Sequence, residues 1–209
     1  MQNTEPDATG VTLRQWKRIA DFIFELGMLR KTPRTGYQFL GSGAENVAEH
    51  SFRTAMIGYM LAQKSGADVA RTVLLCLFHD VHEARIGDFN YVNHIYNTSD
   101  PEQALNHALE GTGLRMDALD MWHELEAKNS LEACLAQDAD QLDLIANLKE
   151  EQDLGNSYAT KWLEHAVLRL KTKIAQECAE ALLTTDHTDW WFKRPDASWW
   201  SKKNTNKPT

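Results

Sequence analysis

His79 and Asp80 stand side by side at the end of the apolar run Val73–Phe78, within FHDVHEARIGDF, residues 78–89. An imidazole and a carboxylate at adjacent helical positions diverge by only about 100°, so both can reach one ion. On a helical wheel Glu83 falls between them, about 40° from His79, while Leu74, Leu75, Leu77, Phe78 and Val81 take the opposite arc. One face of the segment is core and the other gathers His, Asp and Glu. Cys76 lies on the polar arc one turn earlier, as a small residue under the site, and His82 points to the apolar edge. Mixed nitrogen and oxygen ligation suits Mn, Fe, Co, Ni or Zn rather than calcium. Two ligands do not make a site, and about two more must come from elsewhere in the chain.

His50 is one source, in the first turn of another helix, although a capping or core histidine would look the same. The run SLEACLAQDADQLDLIANLKEE supplies Asp138, Asp140 and Asp143. An aspartate in so apolar a helix must be paired, to a metal or to an arginine from another helix. Asp138 shares its side with Leu131, Leu135 and Ile145, and Asp140 shares a stripe with Asp143 and Asn147. Periodicity does not choose among the three.

The elements that must position these groups read as helix after helix. Leu13–Met28 is apolar at helical spacing behind the N-cap Thr12. A long loop, RKTPRTGYQFLGSGAEN, follows. Asn46 and Glu49 form a capping-box pattern that opens a helix from Val47 to about Lys64. Apolar residues surround most of that helix, which places it centrally. A third helix runs from Asp68 to about Ile86 and stops at Gly87. After a loop over 88–99, Asp100 and Pro101 open a helix to about Glu110. Leu114–Lys128, Leu131–Leu154 and a long Tyr158–Leu183 complete the expected set. No alternating strand of normal length occurs, so the class is all-α. The expectation is one domain over 1–209, with a helical core of about 12–185 and an aromatic-rich tail over 186–209.

The 209 residues are 43% hydrophobic, spread along the chain, which supports one substantial core and argues against long disorder. No stretch approaches the roughly 18 apolar residues of a membrane span. MQNTEPDATG lacks the basic and apolar regions of a signal peptide. A net charge of −8 disfavours nucleic acid, while a local basic pocket can still take a small phosphate. Cys76, Cys134 and Cys178 are neither a disulfide framework nor a zinc-finger spacing, so reduced cysteines in a cytoplasmic protein are expected.

The order His50, His79-Asp80, Asp140 resembles the H…HD…D signature of the HD-domain metal-dependent phosphohydrolases. More narrowly, ENVAEHSFRTAMIGYML, LFHDVHEARIGD and DADQLDLIANLKE resemble the 5′-deoxynucleotidase branch, and the likeness runs from about Ile23 to Leu183. The resemblance implies an HD-domain helical bundle whose central buried helix pair carries the metal ligands. It implies one divalent transition-metal ion (Co, Mn, Zn, Fe or Ni) on His50, His79, Asp80 and Asp140. Glu83 and Asp88 then act on water and leaving group. Arg34, in KTPRTGYQF, then contacts the phosphate or sugar, with Lys31 or Arg53 as helpers. Relatives often place tryptophan at or near Tyr37, where an aromatic group favours deoxyribose, so Tyr37 leaves the sugar preference open. The implied activity is hydrolysis of (deoxy)nucleoside 5′-monophosphates to nucleoside and phosphate, by a homodimer or higher homo-oligomer.

Two other readings compete. A dinuclear-iron HD-type oxygenase would use extra histidines between the HD pair and the last aspartate, and His94, His107 and His123 lie there. A non-catalytic nucleotide-binding scaffold would have no need of Glu83. The aromatic clusters DWWF and SWW could stack bases; docking of Trp190, Trp191 and Phe192 on the last helices or a second subunit fits the acidic chain better. Lys161, His165 and Arg169 read as exposed positions without a special role.

Overall fold

The computed structural model describes residues 10–193, in which eleven α-helices and no β-ladder occur. The class is therefore all-α, as the periodicity requires. Helix α1 (Leu13–Leu26) starts where the Thr12 hydroxyl accepts from the Gln15 N–H, and a 3₁₀ turn, Gly27–Arg30, continues it. Within the expected loop lies a further 3₁₀ turn, Thr35–Phe39, and a single bridge pairs Pro33 with Asn46. Helix α2 (Val47–Ser65) opens on a complete Asn46/Glu49 capping box.

The third expected helix is interrupted. Helix α3 ends at Phe78, residues 79–82 form a turn, and α4 (Glu83–Ile86) resumes before Gly87. The cause is chemical: His79 Nδ1 donates to the Cys76 carbonyl at 2.6 Å, taking the acceptor that the Asp80 N–H would use in a continuing α-ladder. Backbone bonds tighten to three-residue spacing, with Val81 N to Phe78 O at 3.3 Å and Glu83 N to Asp80 O at 3.0 Å.

Residues 88–99 are not all loop, because the Asn90 side chain caps a short α5 (Tyr91–Tyr96). Helices α6 (Pro101–Leu109), α7 (Arg115–Ala127) and α8 (Leu131–Asp153) follow the expected pattern. The last long helix does not form. It divides into α9 (Ser157–Ala166), a 3₁₀ turn Val167–Arg169, and α10 (Lys173–Thr184). Asp138, fully buried on α8, accepts from the backbone N–H of Lys171 at 2.7 Å and Thr172 at 2.8 Å, and from the Thr172 hydroxyl at 2.6 Å. A break between α9 and α10 thus satisfies a buried carboxylate that pairs with no arginine among the described residues.

Helix α2 packs on α3 and α8, and α8 also carries α9 and α10. Leu75, Leu135, Leu142, Ile145 and Leu148 are fully buried between them. Helices α2 and α3 approach closely at Gly58, where an added Cβ would sit 2.5 Å from Cys76 Sγ. The outer face of α2 is not covered, since Phe52, Met56, Tyr59 and Met60 stay exposed. Helix α11 (Asp189–Phe192) follows His187, whose N–H donates to Asp153 at the end of α8. Trp190 is 75% exposed there, and the SWW cluster lies outside the described residues. Among the described residues no helix is long and apolar enough to cross a membrane.

Candidate active site

Three elements bring the expected ligands together. His50 projects from the first turn of α2, His79 and Asp80 from the turn after α3, and Asp140 from the middle of α8. The helix pair α2 and α8 thus carries two of the four, and the interrupted end of α3 the others. His50 Nε2 lies 3.1 Å from His79 Nε2, 3.6 Å from Asp80 Oδ2 and 3.1 Å from Asp140 Oδ1. His79 Nε2 lies 3.1 Å from Asp80 Oδ2 and 4.0 Å from Asp140 Oδ1. Metal–nitrogen and metal–oxygen bonds of about 2.1 Å place neighbouring donors roughly 3–3.4 Å apart. His50, His79 and Asp80 form such a group, and Asp140 adjoins it through its 3.1 Å approach to His50.

The remaining ring nitrogens are committed in a way that serves ligation. His79 Nδ1 donates to the Cys76 carbonyl, and His50 Nδ1 lies 2.7 Å from Asp143 Oδ2, so both rings turn Nε2 inward. Asp143 is fully buried and also accepts from Arg53 and, at 3.2 Å, from Asn147. Asp143 was indistinguishable from Asp140 by periodicity. In the structure it backs a histidine while Asp140 faces the cluster. Arg53 is spent on Asp143, Glu150 and Glu45, so it is not a free phosphate helper. Cys76 is buried, and burial pushes its thiol up to about 12, which leaves it neutral beneath the site.

The acidic partners lie on the same side. Arg34 NH1 is 3.4 Å from both Asp80 Oδ2 and Asp88 Oδ1, and NH2 is 3.9 Å from Asp140 Oδ1. Gly87, at φ +79°, redirects the chain so that Asp88 enters the site. There its Oδ2 accepts from the Thr35 N–H and hydroxyl. Glu83 is buried, and its Oε2 has no hydrogen-bond partner among the described residues. Burial, then Asp80 and Asp88, push its carboxyl up to about 9.

A cavity of about 170 Å³ opens beside Arg34 and Asp88, walled by Tyr37, Phe89, Tyr91 and Trp162. Thr35 and Trp162 are contributors that the residue patterns did not single out. Thr35 shows only as a neighbour of Arg34, and Trp162 packs against Gly36 from α9, far along the chain. The additional histidines do not join the ion cluster. His94 stacks edge-on against Phe89 at 5.8 Å, His123 pairs with Glu102, and His107 lies exposed on α6. His82 is buried, edge-on to Trp122 at 5.0 Å, which agrees with a packing position.

Burial alone would lower the basicity of His50, but bonds to Asp140 and Asp143 raise it from 6.5 to about 10. His50 and Glu83 therefore hold protons in the metal-free fold that the unfolded chain has released. When the folded state binds more protons, stability falls as pH rises. The metal-free protein is expected to unfold at lower urea at pH 9.5 than at pH 6.5, the loss running from about 6.5 to about 10 with the His50 transition. A urea midpoint that rises across this window would contradict the assignment.

The family model described as HD domain matches residues 26–182. The 5′-deoxynucleotidase HDDC2 of Xenopus laevis is 25% identical over 197 residues, spanning 87% of this chain and 98% of that one. A conserved hypothetical protein from Pyrococcus furiosus superposes with a TM-score of 0.66 at 26% identity, covering 78% of this chain and 98% of the other. A predicted metal-dependent phosphohydrolase from Magnetospirillum magnetotacticum shares the fold, with a TM-score of 0.59, 24% identity and coverage of 81% and 91%.

Proposed function

Since the chain belongs to the HD domain family, we propose that it is a metal-dependent phosphohydrolase that cleaves (deoxy)nucleoside 5′-monophosphates to nucleoside and phosphate. The observation that carries the reading is the convergence of His50, His79, Asp80 and Asp140 beside an arginine and two further carboxylates. These four would hold one divalent transition-metal ion, which when bound supplies positive charge to the phosphoryl oxygens and lowers the pKa of water.

The chain's own groups do the rest. Arg34 stands where a guanidinium can grip the phosphate bidentately, exchanging Asp80 and Asp88 for the substrate's oxygens. Glu83, buried with one unpartnered oxygen, takes the proton of the attacking water in its ionised form, which a dication on the neighbouring ligands would favour. As water bonds to phosphorus the phosphorus–O5′ bond breaks, and the proton taken up by Glu83 is returned to O5′ by way of the Asp88 carboxyl on the leaving-group side. Thr35 fixes the Asp88 carboxylate for that task. Tyr37 and Trp162 offer aromatic walls to the nucleoside, which supports discrimination at the sugar.

The test is phosphate release from each ribo- and deoxyribonucleoside 5′-monophosphate with Co²⁺, Mn²⁺ and Zn²⁺. Release is expected from at least one 5′-monophosphate and is lost on chelation. Silence across the whole panel, with nucleotide still bound, would favour a scaffold instead.

Asp143 provides a second check, because it orients His50 and carries charge to its Nδ1. Asp143→Asn is expected to weaken divalent-ion affinity about 10–100-fold, read by titration of the metal-free protein. Unchanged affinity would show that Asp143 serves packing only.

A further inference from the structure

Next to the cavity, and sharing Leu40, Tyr91 and Trp162 with it, runs an open groove of about 440 Å³. Its walls combine Phe39, Tyr91 and Trp162 with three basic or titratable side chains, Lys161, His165 and Arg169. The last three recur every four residues and form one stripe along α9 and the following 3₁₀ turn. Among the described residues no acidic side chain lines the groove, in a chain of net charge −8. Arg169 is held in place: its guanidinium donates to the Tyr91 hydroxyl and lies 4.4 Å from the centre of that ring. Neither Lys161 nor Arg169 forms an ion pair with a carboxylate among the described residues. Phe39 and Tyr91 both meet the Trp162 indole edge-on, at 6.4 and 6.1 Å, so the wall between cavity and groove is a continuous aromatic surface.

The charge pattern separates the two spaces. The cavity sets Glu45, Asp88 and Asp143 against Arg34, which the 5′-phosphate occupies, and so disfavours a second anion. The groove carries cations and would attract one. The groove adjoins the cavity along Leu40, Tyr91 and Trp162, so a phosphate carried on the sugar of a nucleotide seated in the cavity, with its 5′-phosphate at Arg34, would reach the groove across that shared edge.

We propose that this groove is a subsite for a phosphate carried on the 3′-oxygen of the bound nucleotide. The favoured substrates are then nucleoside 3′,5′-bisphosphates or 5′-phosphorylated dinucleotides, with the 5′-phosphate still the group removed. The proposal rests on the nucleotide reading of the active site and extends it by one position. Lys161 and Arg169 hold the 3′-phosphate, and Phe39 offers a face to a second base where one is present.

The experiment compares kcat/KM for a deoxynucleoside 5′-monophosphate, its 3′,5′-bisphosphate and the 5′-phosphorylated dinucleotide, in the parent and in Lys161→Gln/Arg169→Gln. Taking each substrate as a ratio to the monophosphate cancels any general effect of the substitutions. At low salt at least one of the two longer substrates is expected to exceed the monophosphate by roughly five- to twentyfold. The excess should shrink with added salt and fall towards one in the double variant. A bisphosphate advantage alone points to a terminal phosphate, and a dinucleotide advantage to a diester with its second base. Either supports the subsite. Ratios at or below one for both in the parent, or ratios unchanged by the double substitution, overturn it. Absence of turnover on every substrate would instead defeat the hydrolase reading. The groove is then judged by equilibrium binding of bisphosphate against monophosphate in the same two proteins, and equal binding rejects it.

Discussion

Asp80→Ala is expected to lose its divalent ion and its phosphohydrolase activity together. The Asp80 carboxylate lies within 3.6 Å of both inward-facing imidazole nitrogens and 3.4 Å from Arg34, so it stands between the proposed ion ligands and the proposed phosphate grip. Burial alone would raise its proton affinity, but His79, His50 and Arg34 hold it well below the usual carboxylate range. It is therefore a charged ligand at any working pH. Removing it leaves two imidazoles and one partly exposed aspartate that Arg34 also draws on, a set with less negative charge to hold a dication. Metal content measured on the purified variant should drop from about one ion per chain to near zero, and kcat/KM should fall by roughly 10³-fold or more. Helical content should be kept, because the cores of α2, α3 and α8 do not involve Asp80. A variant that binds the ion at parental affinity would remove Asp80 from the ligand set.

How far such a site can be read before coordinates exist depends on the length scale of each feature. The capping box at Asn46 and the caps at Thr12, Asp100 and Ser130 are local chemistry, and they start helices where the residues say they should. The two interruptions are not local. Residues 68–86 carry a continuous helical pattern, and nothing in it reveals that the His79 ring takes the Cys76 carbonyl. Tyr158–Leu183 likewise reads as one helix, because the force that divides it is the buried Asp138 more than 30 residues earlier. Asp138 needs a partner, as an aspartate in an apolar helix must, and finds it in two backbone N–H groups and the Thr172 hydroxyl rather than in a metal or an arginine.

The site divides along the same line. The separation of His79, Asp80 and Glu83 from the apolar arc follows from the wheel alone and survives the break after Phe78, because His79 keeps helical backbone angles. The convergence of His50 and Asp140 entered by resemblance, and the 3.1 Å contact between them is a long-range fact of α2 packing on α8. Asp143 and Trp162 show the cost of lacking that packing. One was an option among three aspartates, and the other was an ordinary helix residue until α9 folded against Gly36.

Glu83→Gln should separate binding from chemistry. Glutamine keeps the shape and removes the capacity to accept a proton, and Glu83 lies outside the four-donor cluster, so the ion should remain at parental affinity. The side chain is buried at the site with one oxygen unpartnered, and Asp80 and Asp88 raise its proton affinity along with burial. A dication on the neighbouring ligands would favour its ionised form, which is placed to take a proton from water as the bond to phosphorus forms. Its loss should lower kcat by about 10²–10⁴-fold, with KM changed little. Replacing a like-charged neighbour of Asp80 and Asp88 by a neutral amide also relieves repulsion, so the metal-free variant should be at least as stable to urea above pH 9 as the parent. Loss of turnover with ion and fold retained is the signature of a proton carrier. Loss of ion and turnover together would make Glu83 a ligand instead, and parental turnover would transfer the role to another group, with Asp88 next to be tested by Asp88→Asn.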